Sequence, residues 1–141
     1  RVLAYGLFWR EGIGFGPGLC EADEPDLSAR DPGGEEVLRV RVGRPEPARL
    51  QREADRSPRA RVAALFESPR RMEAFVEEAR SAGLSRLGRV ELWAVEPALL
   101  KVLAAFTERR TRLALTVSGD HLYLETGGRT VDGPLHRARL P

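Results

Sequence analysis

The sequence predicts a mixed α/β fold, a central sheet with helices on its faces, and three observations carry that reading. Leu38, Val40 and Val42 alternate strictly with Arg39 and Arg41, as a half-buried strand does. The run ARVAALF over 60–66 is apolar throughout, as strands covered on both faces of a parallel sheet are. Segments of helical spacing separate such runs, and strand–helix–strand repeats with short loops favour parallel strands joined by right-handed crossovers.

In chain order, Val2, Leu3, Leu7, Phe8 and Trp9 read as the last turns of a helix already under way. With Arg1 standing where a Met would be, a preceding natural segment is expected. Glycines 12, 14, 16 and 18 with Pro17 predict irregular backbone. Leu19–Ser28 reads as a short extended piece broken by Pro25, DPGG at 31–34 as a turn, and EEVLRVRVG as a strand closing a hairpin. Residues 47–55 form a weak helix with Leu50 and Ala54 four apart. Ser68 and Pro69 supply an N-cap and first helical position for a helix bearing Met72, Phe75, Val76 and Ala79 and stopping at Gly83.

RVELWAV, 89–95, is a further strand, and Pro97 opens a helix carrying Leu99, Leu100, Leu103 and Phe106. Two strands then meet at Ser118-Gly119-Asp120, a tight hairpin signal. The terminal hairpins are expected to add antiparallel edges to the central sheet, and residues 133–141 to fray as a tail. No repeat, low-complexity tract or linker divides the chain, so 1–141 reads as one domain.

The 141 residues are 42% hydrophobic and 31% charged, enough to bury a core and unlike a disordered chain. No run of 18 apolar residues spans a membrane, and no secretory signal pattern appears. A lone cysteine, Cys20, forms no internal disulfide, which points to a reducing, cytoplasmic compartment. Of 23 basic residues only Lys101 is lysine, and Asn is absent, the composition of a G+C-rich bacterial genome. Arginine abundance is therefore no signal of nucleic-acid binding by itself, and a net charge of +2 is too small to point to a polyanion partner.

The charge is divided along the chain. Between Glu11 and Glu36 eight acids face only Arg30; between Val37 and Arg61 eight arginines face only Glu46, Glu53 and Asp55. If the two extended segments pair, these blocks meet, either neutralising one another on a solvated surface or placing ion-holding carboxylates beside phosphate-holding guanidiniums.

Other motifs carry less. His121 and His136 are too few and too isolated for zinc and read as surface residues. Cys20 has no evident base and reads as a small buried side chain, while Trp93 and Phe106 read as core or partner-facing groups. The glycines match neither a Walker A sequence nor a dinucleotide fingerprint. No aromatics interleave with the basic block, as stacking platforms for single strands require.

The stretch GIGFGPGLCEADEPDLSARDPGGEEVLRVRVGRPEPARLQREA, 12–54, resembles the YaeQ family in its glycine-rich approach, acidic EPDL, turn, strand ending in Gly-x-Pro and arginine-bearing helix. RVELWAVEPALLKVLAAFTERR and LALTVSGDHLYLETGGRTVDG follow in that family's order. The resemblance implies a variant of the PD-(D/E)XK nuclease-like core, here without its N-terminal strands and the start of its first helix, and no settled activity. In that superfamily an Asp and a downstream acid hold Mg²⁺, and a Lys two residues later orients water.

Pro25-Asp26 matches the first half of the motif, but no Lys occurs in 35–42. Glu35 and Arg39 share a face but stand four residues apart, roughly 13 Å along a strand against roughly 6.6 Å for an i,i+2 pair. Glu36 has Leu38 at its i+2 position. Arginine cannot replace lysine as a base because its pKa stays above about 12, though it can clamp phosphate with paired hydrogen bonds.

The reading is therefore a catalytically degenerate family member that binds phosphate or nucleic acid through Arg39, Arg41 and Arg52. One alternative is a divalent-metal-dependent nuclease, with Mg²⁺ as the ion, whose rewired site is built on Asp26, Glu24 or Glu35 and a carboxylate of the expected preceding segment. The other is a protein-interaction module, in its simplest form a homodimer through exposed sheet edges.

Overall fold

A computed structural model describes residues 1–16, 25–84, 87–105, 112–126 and 128–139. Its elements are α1 (Val2–Leu7), β1 (Ile13–Phe15), β2 (Leu27–Arg30), β3 (Glu36–Val42), α2 (Pro47–Arg56), β4 (Arg61–Phe66) and α3 (Pro69–Ser81). After these come β5 (Glu91–Ala94), α4 (Pro97–Ala104), β6 (Leu113–Ser118), β7 (His121–Thr126), β8 (Arg129–Pro134) and β9 (His136–Ala138). A six-stranded mixed sheet runs in the order β1-β2-β3-β4-β5-β9, and β6-β7-β8 form a second, antiparallel sheet.

The parallel centre is β3-β4-β5, and the apolar run over 60–66 is its middle strand. Alternation divides that run between two cores. Ala63 and Leu65 join Leu38, Val40 and Trp93 on the face covered by Phe8, Leu99, Leu122 and Leu124. Val62, Ala64 and Phe66 face the other way, onto Leu50 and Ala54 of α2 and Met72, Phe75 and Ala79 of α3. The start of α3 is capped as its sequence predicts: the Ser68 hydroxyl accepts the Arg71 N–H at 3.2 Å, with Pro69 following.

Three expectations are corrected. The C-terminal hairpin does not extend the central sheet; Leu122 and Leu124 turn β7 onto the first core, so it builds a separate sheet. The expected frayed tail instead completes β8 and forms β9, which pairs antiparallel with β5. Only three residues long, β9 shows no periodicity, and long-range contacts decide it: Arg137 lies opposite Trp93 with its guanidinium 4.3 Å from the ring centre. The glycine-rich stretch also holds a strand, because Gly12, at φ +84°, brings β1 so close to β2 that a Cβ there would sit 2.6 Å from the Arg30 carbonyl oxygen.

A bulge re-aims one end of β3. Ala29 pairs with Leu38 but Arg30 pairs with Glu36, leaving Val37 as the extra residue. Val37 joins Leu38 on the first core, and Glu36 moves to the face that carries Arg39.

Candidate functional site

The two charge blocks meet where β2, β3 and α2 come together. At the entry to β2, Asp26 Oδ2 accepts the Val42 backbone N–H at 2.9 Å, and Oδ1 accepts Arg1 Nε at 3.2 Å. On the same end of β3, Arg41 reaches α2, donating from Nε to both oxygens of Glu53 at 2.9 and 3.1 Å and from Nη2 to Oε1. The Glu53 side chain is only 7% exposed, so the pair is largely withdrawn from water. Such a charge is retained in the interior only because a partner of opposite sign compensates its lost hydration.

The other end of β3 carries a second lock. Arg39 Nη1 lies 3.0 and 3.2 Å from the Glu36 oxygens, and Glu36 Oε1 also accepts the Ser57 hydroxyl at 3.2 Å. The bulge makes this contact, since unbroken alternation would put Glu36 and Arg39 on opposite faces. Glu35 is solvated, 3.2 Å from Arg59, and its backbone N–H caps the turn through Asp31 Oδ1 at 2.9 Å.

Asp26 and Glu35 are not brought together: they flank opposite ends of β3, about 20 Å apart at the rise of an extended strand. Glu24, Cys20 and Phe106 lie outside the described residues. Among the described residues no group of three or more His, Cys, Asp or Glu side chains is placed to hold a metal ion. Of the three predicted phosphate ligands, Arg39 and Arg41 each grip a carboxylate, and Arg52 is exposed on α2.

Elsewhere, Arg61 holds Glu91 across β4 and β5, with Nη2 2.8 Å from Oε1. That hydrogen bond keeps the Glu91 carboxyl below its ordinary value against the opposing effect of burial, and raises Arg61. His121 lies 2.6 Å from Asp132, and His136 lies 2.8 Å from Glu96.

Sequence reasoning missed Glu53. Its signal was available: Glu53 stands three residues after Leu50 and one before Ala54, so an acid falls on the apolar stripe of α2 and must find a cation there. Gln51, also buried on α2, accompanies it.

Fold and site together define a mixed α/β protein whose inward carboxylates at the end of β3 are held by backbone N–H and guanidinium groups. The family model described as YaeQ protein matches residues 1–134, and the chain belongs to the YaeQ family. It is similar in structure to the YaeQ protein from Xanthomonas axonopodis pv. citri, at 22% identity and a TM-score of 0.83, over 100% of this chain and 78% of that one. It is likewise similar to the YaeQ protein from Pseudomonas syringae, at 22% identity and a TM-score of 0.81, over 97% of this chain and 74% of that one. At these identities the likeness concerns the fold. No curated protein matches the chain.

Proposed function

We propose that this YaeQ-family chain is a catalytically degenerate protein of nuclease-like ancestry that binds phosphate groups, chiefly those of nucleic acid, at an arginine surface. The observation that carries this reading is the occupation of the inward acids. Asp26 serves Arg1 and the Val42 N–H, and Glu53 serves Arg41. Mg²⁺ would need oxygens at about 2.0–2.1 Å in near-octahedral array, and guanidinium groups already hold that space with like charge. Arg41 cannot take a proton from water near neutral pH, so it does not activate a nucleophile. Arg52 is different in kind: exposed on α2, it can fork a phosphate without breaking an internal pair.

The test has two arms on the full chain. Calorimetric titration with Mg²⁺ and Mn²⁺ is expected to show no site, and plasmid incubated with either ion to remain uncut. Nucleic-acid affinity, read by fluorescence anisotropy, is expected to fall with salt. Metal-dependent cleavage that disappears in Asp26→Ala would overturn the reading in favour of the Mg²⁺ nuclease.

A second reading, association through sheet edges, is favoured by β6. It is an edge strand, uncharged along its length, with Leu113 37% and Val117 41% exposed. Light scattering decides it: a monomer at high concentration removes the homodimer.

A further inference from the structure

Phosphate binding as proposed above leaves open which surface makes the contact and to what form of nucleic acid. Arg39 and Arg41 are committed to carboxylates inside the fold. The outer side of α2 is not. At 3.6 residues per turn, Arg49, Arg52 and Arg56 fall within an arc of about 60° and span about 10 Å of helix. Arg52 and Arg56 are exposed and Arg49 is half-buried. None of the three makes a hydrogen bond or ion pair with another described residue.

The chain contains its own control for arginine-rich composition. On α3, Arg70, Arg71 and Arg80 are matched in number by Glu73, Glu77 and Glu78, so that helix carries balanced charge. On α2, Glu53 points inward to Arg41, and Asp55 is itself engaged in an interaction. The inward turn of Glu53 takes one acid off the outer face, where Glu46 at the N-cap and Asp55 remain exposed against the three arginines.

We infer that the Arg49–Arg52–Arg56 ridge of α2 is a backbone-contact surface for double-stranded nucleic acid, an inference that rests on the phosphate-binding reading above. A row of guanidiniums along one side of a helix meets the closely spaced phosphates of a duplex without needing to read bases. Single-strand binders add aromatic platforms for stacking, and no aromatic residue lies in 37–61. The ridge therefore selects for phosphate density and against sequence.

The experiment is an anisotropy titration of the full chain with a duplex and a single strand of equal length, from 50 to 200 mM salt. Three contacts predict a log–log slope near −2.7 on the duplex, roughly a 40-fold loss of affinity across that range. Arg52→Ala should lower the slope by about one, and the triple variant R49E/R52E/R56E should lose at least tenfold in affinity at 50 mM salt. Arg80→Glu on α3 makes a charge change of the same sign away from the ridge and should leave affinity within twofold. Circular dichroism melts confirm folding of each variant.

Salt-dependent duplex binding that survives the triple variant would overturn the ridge while leaving phosphate binding standing. Preference for the single strand would overturn the duplex assignment. Absence of salt-dependent binding to either probe would remove the underlying reading itself.

Discussion

Arg41 on β3 and Glu53 on α2 form a forked ion pair across the sheet–helix boundary, with Arg41 Nε 2.9 and 3.1 Å from the two carboxylate oxygens. The pair fastens α2 over the polar end of the sheet and occupies both oxygens of a largely buried carboxylate.

Removing one partner should therefore cost more than removing both. Glu53→Ala takes the forked carboxylate away from a largely buried guanidinium and should destabilise by about 3 kcal/mol in urea denaturation. Arg41→Met with Glu53→Leu restores apolar packing and should lie within about 1 kcal/mol of the parent. Equal losses in the two variants would show that the pair does not couple these elements.

Asp26 stitches the beginning of β2 to the end of β3. Asp26→Ala leaves the Val42 N–H without its acceptor and should cost about 1–3 kcal/mol. Asp26→Asn retains an oxygen for Val42 and should cost about half as much, a difference measurable as an earlier chemical midpoint for the alanine variant at unchanged m-value.

The glycine-rich stretch makes a contrast between neighbours. Gly12→Ala would put a Cβ 2.6 Å from the Arg30 carbonyl oxygen at φ +84° and should cost on the order of 2 kcal/mol. Gly14 has nothing within 4 Å of an added Cβ, and Gly14→Ala should stay within about 0.5 kcal/mol, with thermal melts of both variants as the measurement.

Glu91 predicts a signature in acid. Hydrogen bonding from Arg61 holds its carboxyl below the ordinary 4.5. A carboxyl depressed in the folded state contributes stability that is complete above its unfolded value and is lost as pH falls through the folded one. Glu91→Gln should thus be less stable than the parent at neutral pH, and the gap should close below about pH 4.5. A gap constant from pH 7 to 3 would contradict the ion pair's contribution.

Much of the site was legible in part. The alternation of Leu38 and Val40 with Arg39 and Arg41 assigned each to its face, and the opposed charge blocks announced that acids and arginines would meet. Which acid meets which arginine was hidden. Glu36 reaches Arg39 only because Val37 is bulged out of register, and a bulge depends on the partner strand. Glu53 reads as one of several charges on a weak helix until α2 is laid across β3.

By itself the sequence determined the strands, helices and caps that rest on local patterns: the apolar run of β4, the Ser68-Pro69 start of α3 and the turn at Gly119. It also determined that no lysine stands on β3, since that is a matter of composition alone. Only the tertiary structure decided that β9 joins β5, that β6–β8 part from the central sheet, and that Arg41 is spent on Glu53 while Arg52 remains outside. These are pairings between residues distant along the chain, and their free energy comes from burial and charge compensation that no local window contains.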